Sequence, residues 1–156
     1  MRYGVLEREQ LLGTSLEQAW NHFSDPRNLA SITPAQLGLR IHDPERLHPL
    51  QEGRIIHYTV SPLWGVPLRW TTRIGRVHPP ILFEDFQLKG PYAYWCHTHT
   101  FEAVPGGVLM KDRIEYALPL GGIGRYLMGR RVAHELDVIF EHRRRVLQER
   151  FPHPQP

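Results

Sequence analysis

Two histidines carry the sharpest chemical signal in the sequence. His97 and His99 stand two residues apart in the run Trp95-Cys96-His97-Thr98-His99-Thr100-Phe101. If the run is a strand, both imidazoles project from one face, with Trp95 and Phe101 continuing it. In the next segment Met110, Asp112, Ile114, Tyr116 and Leu118 alternate with Leu109, Lys111, Arg113 and Glu115. That pattern puts Asp112, a lone acid, among the inward apolar positions. Two imidazoles and a carboxylate on neighbouring strands open three chemistries. They could ligate zinc or iron. They could work as general acid and base on a bound substrate, which makes His97, His99 and Asp112 the candidate catalytic residues. They could also hydrogen-bond one another, Asp85 or Tyr58, and shape the polar end of a pocket. The third reading is preferred, because a short histidine motif by itself seldom marks a metal site. No metal and no cofactor is assigned.

Arg143 is the second unusual residue. At 100° per residue it falls beside Leu136, Phe140 and Leu147, inside the apolar stripe of a long helix. A buried guanidinium needs a partner. An inward acid, Asp85 or Asp112, would make a structural ion pair, which is the preferred expectation. The alternative is bidentate contact with the carboxylate of an acidic ligand, such as a fatty or aromatic acid. Arg130, Arg131, Arg144 and Arg145 fall off the stripe and read as solvated charge.

The elements that must position these groups follow from periodicity. Residues 3 to 12 read as a strand. Thr14-Ser15 with Glu17 and Gln18 has capping-box spacing ahead of a short helix carrying Leu16, Ala19, Trp20 and Phe23. Asp25-Pro26 starts a second short helix that carries Leu29 and Ile32. From Leu37 the period becomes two, through Leu39 and Ile41, then Ile56, Tyr58 and Val60, then Leu68, Trp70, Thr72 and Ile74. Turn signals at 78–80, 89–91 and 105–107 mark further strands near 81 to 88, 94 to 104 and 107 to 118. On the strand 81 to 88 the inward face stays open between Phe83, Asp85, Gln87 and Glu84, Phe86, Leu88. A helix from about Ile123 to Phe151 follows, with Val132, Ala133, Leu136, Ile139, Phe140, Val146 and Leu147 on one face.

A helix of that length needs a wide apolar surface, and the preceding strands supply the only candidate. The predicted class is therefore α+β: a curved antiparallel sheet of about seven strands, two short helices after the first strand, and a long C-terminal helix across the sheet over a cavity. At 156 residues the chain reads as one domain over 1–151, with a disordered proline-rich tail at 152–156. Cys96 is the only cysteine, which excludes an intrachain disulfide and a cysteine-rich zinc site and fits a reducing compartment. No secretory leader and no membrane-length apolar run is read, so the expected location is cytoplasmic, without stable membrane insertion. A net charge of +3 is too small a basic excess to indicate nucleic acid. The oligomeric state is not legible.

The runs Ala19-Trp20, Phe23-Ser24-Asp25-Pro26-Arg27-Asn28-Leu29, Gly90-Pro91-Tyr92, Trp95 to Glu102, Asp112-Arg113-Ile114-Glu115-Tyr116 and Leu118-Pro119-Leu120-Gly121 occur in this element order. In these the chain resembles the START-like or SRPBCC superfamily with the helix-grip fold, and within it the bacterial polyketide cyclase/dehydrase-like, ligand-binding subgroup. The resemblance covers almost the whole chain. It implies a deep, mostly apolar cavity for a lipid-like or polycyclic small molecule, and it carries over no catalytic set. The expected ligand-binding residues are Tyr58, Trp70, Trp95, His97, His99, Phe101, Asp112, Tyr116, Leu136, Phe140 and Arg143. The leading expectation is a carrier or sensor of a hydrophobic, possibly acidic, small molecule. A cyclase- or dehydratase-like enzyme using His97, His99 and Asp112 is the alternative. Gly121-Gly122-Ile123-Gly124 lacks the lysine and hydroxyl of a phosphate loop and reads as a hinge into the long helix at the pocket mouth. Leu63 and Trp64 read as a loop tip folded over the mouth.

Overall fold

The structure is a computed structural model that describes residues 3–63 and 65–153, with the backbone alone at 62 and 63. The expected order of elements is present. Strand β1 (Gly4–Leu12) is followed by helix α1 (Leu16–Phe23) and a 3-10 helix, Pro26–Ile32. Strands β2 (Arg40–Ile41), β3 (Ile55–Leu63), β4 (Val66–His78), β5 (Leu82–Lys89), β6 (Tyr94–Val104) and β7 (Gly107–Ala117) then lead to helix α2 (Gly121–Arg150). All strand pairs are antiparallel, in the order β1-β7-β6-β5-β4-β3-β2. Register shifts on β3–β4 and β4–β5 bend the sheet, as extra residues in one strand of a pair do.

The caps form as the sequence requires. Ser15 accepts the Gln18 amide at 3.2 Å, and Asp25 accepts the Arg27 amide at 3.0 Å with Pro26 in the first turn. The strand expected around Leu39 and Ile41 is much reduced. Only Arg40 and Ile41 pair with β3, because Gly38 and Asp43 on either side turn left-handed, at φ 53° and 49°. Short 3-10 turns, Ala35–Leu37 and Pro44–Arg46, occupy the flanks instead.

Three clusters make the core. Leu147, fully buried on the C-terminal half of α2, packs with Leu12, Ala19, Phe101, Val108 and Met110, joining helix, sheet and α1. Leu136 and Phe140, two to three turns earlier, meet Trp95 and Ile114. Leu47, Ile56 and Ile74 make the third cluster, at the β3–β4 end of the sheet. After α2 the chain folds back on the β1–α1 corner, where Gly13 donates its amide to the Phe151 carbonyl at 3.1 Å. A Cβ on Gly13 would lie 1.8 Å from the Pro152 carbonyl oxygen, so only glycine fits there. Of the expected tail, residues 154–156 lie outside the described residues, as do Trp64 and the side chain of Leu63. No helix among the described residues is long and apolar enough to cross a membrane.

Candidate functional site

The strand registers bring the chemical residues together on the adjacent strands β5, β6 and β7. His99 pairs with Asp112 across β6–β7, and His97 pairs with Asp85 across β5–β6. Directly paired residues share a face, so the four side chains form one patch. This settles the open face of β5. Phe83 and Asp85 point toward the helix, whereas Glu84 is buried on the opposite face in an ion pair with Arg76.

Between this patch and α2 lies a cavity of about 470 Å³, within the range of small-molecule sites. Ile56, Tyr58, Val60, Leu68, Trp70 and Ile74 from β3 and β4 form one wall, and Val132, Leu136, Ile139 and Phe140 from α2 form the roof. The 3-10 helix Pro26–Ile32 closes one end. Leu118, Pro119, Leu120, Gly124, Leu127 and Met128 frame the other, where Leu120 and Leu127 are strongly exposed. Of the sequence-expected residues, Tyr58, Trp70, Trp95, His97, His99, Leu136, Phe140 and Arg143 line the cavity. Phe101 does not; it packs in the core against Trp20, Phe23 and Phe83. Tyr116 is not part of the lining either; it pairs with Trp95 across β6–β7 and packs edge-on to Tyr92. Asp112 sits beneath the histidines and faces a separate crevice between β1 and α2.

Asp112 holds the two imidazoles. Its Oδ1 accepts from His97 Nε2 at 2.8 Å, and His99 Nδ1 lies 2.9 Å from the same oxygen without good hydrogen-bond alignment. The two rings lie with centroids 3.8 Å apart and planes tilted by 35°. Burial works to raise the Asp112 carboxyl pKa, but the two histidine contacts outweigh it and hold the group well below the usual carboxylate range. Burial and the neighbouring His99 push His97 down. Burial also opposes charge on His99, yet contacts with Asp112 and Asp85 carry it upward. Across the cavity floor Tyr58 is pushed up by burial and by the nearby Asp85 charge.

Arg143 departs from the preferred expectation. It is 7% exposed, lines the cavity and forms no salt bridge among the described residues. Its Nε is buried without a hydrogen-bond partner, and its Cζ lies 4.7 Å from the centre of the Phe140 ring. Burial lowers its pKa, while Asp112 and Asp85 act on it only through space. Asp112 is occupied instead by the two histidines of the adjacent strand, at 2.8 and 2.9 Å. Trp70 Nε1, on the facing wall, is a second buried donor without a partner.

Sequence reasoning missed Tyr92, Glu135 and His22, all on the cavity wall, and had left Phe83, also on the wall, open against Phe86. His22 lies on α1 one turn from Ala19 and next to Phe23, so helical periodicity was a usable signal for it. Its ring packs edge-on against Phe23 and Phe151, with both nitrogens buried and unpartnered.

No family model and no curated protein matches the sequence. Solved structures do match along nearly its whole length. The protein TTHA0849 from Thermus thermophilus aligns at 16% identity and a TM-score of 0.71, covering 94% of this chain and 96% of that one. Major latex-like protein 151 from Panax ginseng aligns at 12% identity and a TM-score of 0.70, covering 96% and 98%. The di-domain ARO/CYC StfQ from the steffimycin biosynthetic pathway aligns at 9% identity and a TM-score of 0.65, covering 95% of this chain and 52% of that one. At such identities the likeness is one of fold. The chain has the helix-grip fold.

Proposed function

We propose that this helix-grip protein binds an amphipathic small molecule with an apolar, lipid-like or aromatic body and an anionic head, as a carrier or sensor. The observation that carries this reading is Arg143, a buried cation on the wall of a largely apolar cavity whose Nε has no partner. Leaving a buried donor unmade costs about 1–3 kcal/mol, more for a charged group. A ligand that accepts from it recovers that cost. Trp70 Nε1 and the guanidinium can only donate, so the complementary head is an acceptor such as a carboxylate.

Titration calorimetry with a panel of fatty and aromatic acids, each paired with its neutral amide or alcohol, tests the reading. Arg143→Met is expected to weaken the acids by roughly ten- to hundredfold, the value of a charged hydrogen bond, and to leave the neutral analogues unchanged. Equal loss for both sets, or no binding of any acid to the native protein, overturns it.

A second reading has its own observation. His97, His99 and Asp112 form a buried acid–base cluster beside the cavity, and a cyclase- or dehydratase-like enzyme could use it to move protons on a bound polyketide-like substrate. Single alanine substitutions at the three positions are expected to abolish turnover of such a substrate. Undiminished turnover in all three rules this reading out.

A further inference from the structure

We propose that Asp85, His97 and His99 form a site for one divalent transition-metal ion, zinc or iron(II), on the cavity floor, with Asp112 as the carboxylate that orients both imidazoles. Each histidine turns one ring nitrogen to Asp112 Oδ1, at 2.8 and 2.9 Å. The other nitrogens, His97 Nδ1 and His99 Nε2, converge on Asp85 Oδ2 at 3.9 and 3.7 Å. Those two distances are too long for hydrogen bonds. An imidazole–carboxylate pair free to close would settle near 2.7–2.9 Å, as both do on the Asp112 side. On the Asp85 side a gap is held open by the strand register, which fixes Asp85 opposite His97 and Phe83 opposite His99.

The gap has the dimensions of an ion. One donor atom from each of the three residues lies within 4.8 Å of the others. A metal about 2.1 Å from each donor requires donor separations of roughly 3.0–3.5 Å, which small side-chain rotations reach from the observed values. Two imidazoles and one carboxylate are the donor set of zinc sites with an open position and of non-haem iron sites. A carboxylate gripping the far nitrogen of a ligating histidine is the usual support of such sites, and here one residue, Asp112, serves both rings. Asp85, His97 and His99 all line the cavity, whereas Asp112 does not. The remaining coordination positions therefore open toward the ligand space. Charge agrees: the two carboxylates against Arg143 leave one negative charge, and a dication turns this into one positive charge that an anionic head can neutralise.

The site stands without the acidic-ligand reading, since the probe is the metal alone. The full chain, stripped with chelator, is titrated with Zn²⁺ by calorimetry and with Co²⁺ by visible absorption. One equivalent per chain is expected to bind in the micromolar range or tighter. Asp85→Asn and His99→Ala are expected to weaken that event at least tenfold, and Asp112→Asn by roughly ten- to hundredfold, in variants that keep the native circular dichroism. The chain carries ten histidines, so binding that survives unchanged in both Asp85→Asn and His99→Ala belongs elsewhere on the surface and overturns the proposal. X-ray absorption of the Co²⁺-loaded native protein adds a readout that does not depend on variant folding. Two imidazoles in the coordination sphere support the site, and one or none overturns it.

Discussion

Asp112 keeps its charge in surroundings that oppose it, because two imidazoles share the cost. His22 shows the reverse case. Burial, with help from the Arg150 charge, lowers its pKa from 6.5 to about 4. Between those values the unfolded chain takes up a proton that the folded chain refuses, so stability falls as pH drops from about 6.5 toward 4. His97 has the same sign, His99 the opposite one, and the Asp112 contribution is lost only at still lower pH. His22→Phe is expected to reduce the shift in the urea midpoint between pH 7 and pH 5, without abolishing it; an unchanged shift would contradict this account. Arg143→Met is expected to hold or raise the thermal midpoint of the unliganded protein, since it removes an unpaired buried charge. The histidine pair and Asp112 could be placed in the sequence because strand alternation is local. Arg143 could be placed on its stripe, but not its lack of an ion pair. Asp85 could not be placed, since Phe83 and Phe86 offer equal apolar anchors on opposite faces of β5.

At the scale of elements, α2 has two parts with different tasks. Its last turns are locked into the core through Leu147, and the stretch from Val132 to Phe140 roofs the cavity. Leu147→Ala is expected to cost about 2–5 kcal/mol by chemical denaturation. Leu136→Ala should cost less, because the new space joins a cavity that already exists and fewer packing contacts vanish. The hinge into α2 is equally divided. Leu120 and Gly121 turn left-handed, at φ 61° and 54°, where the chain enters the helix. A Cβ at Gly124 would meet the Pro119 carbonyl oxygen at 1.8 Å, whereas one at Gly122 meets nothing within 4 Å. Gly124→Ala is expected to lower the thermal midpoint and weaken ligand binding, at about 1–3 kcal/mol. Gly122→Ala is expected to be neutral or stabilising by up to about 1 kcal/mol. Equal midpoints for the two variants would refute the close contact.

For the whole molecule, an apolar cavity of about 470 Å³ is space the fold leaves unfilled. A ligand that binds only the folded state stabilises it by about 2.7 kcal/mol at one hundred times its dissociation constant. At roughly 2–4 °C per kcal/mol for a domain of this size, an amphipathic acid is expected to raise the thermal midpoint of the native protein by about 5–10 °C. Arg143→Met should show little of that rise with the same acid. Scanning fluorimetry on the pair reads this directly.

The elements, their order and the inward faces of β3, β4, β6, β7 and α2 were determined by the sequence alone. Side-chain periodicity, caps and turn residues act over a few positions and leave their marks locally. The short β2 is the partial exception, since its ends depend on left-handed turns at Gly38 and Asp43. Only the tertiary structure decided which acid meets which histidine, which face of β5 turns inward, and that Arg143 is left without a carboxylate. Those outcomes rest on strand register and on the height of α2 above the sheet, which are set by packing between residues far apart in the chain. They also shape the candidate site, because register holds Asp85 near the histidines and Arg143 forms no ion pair with either acid.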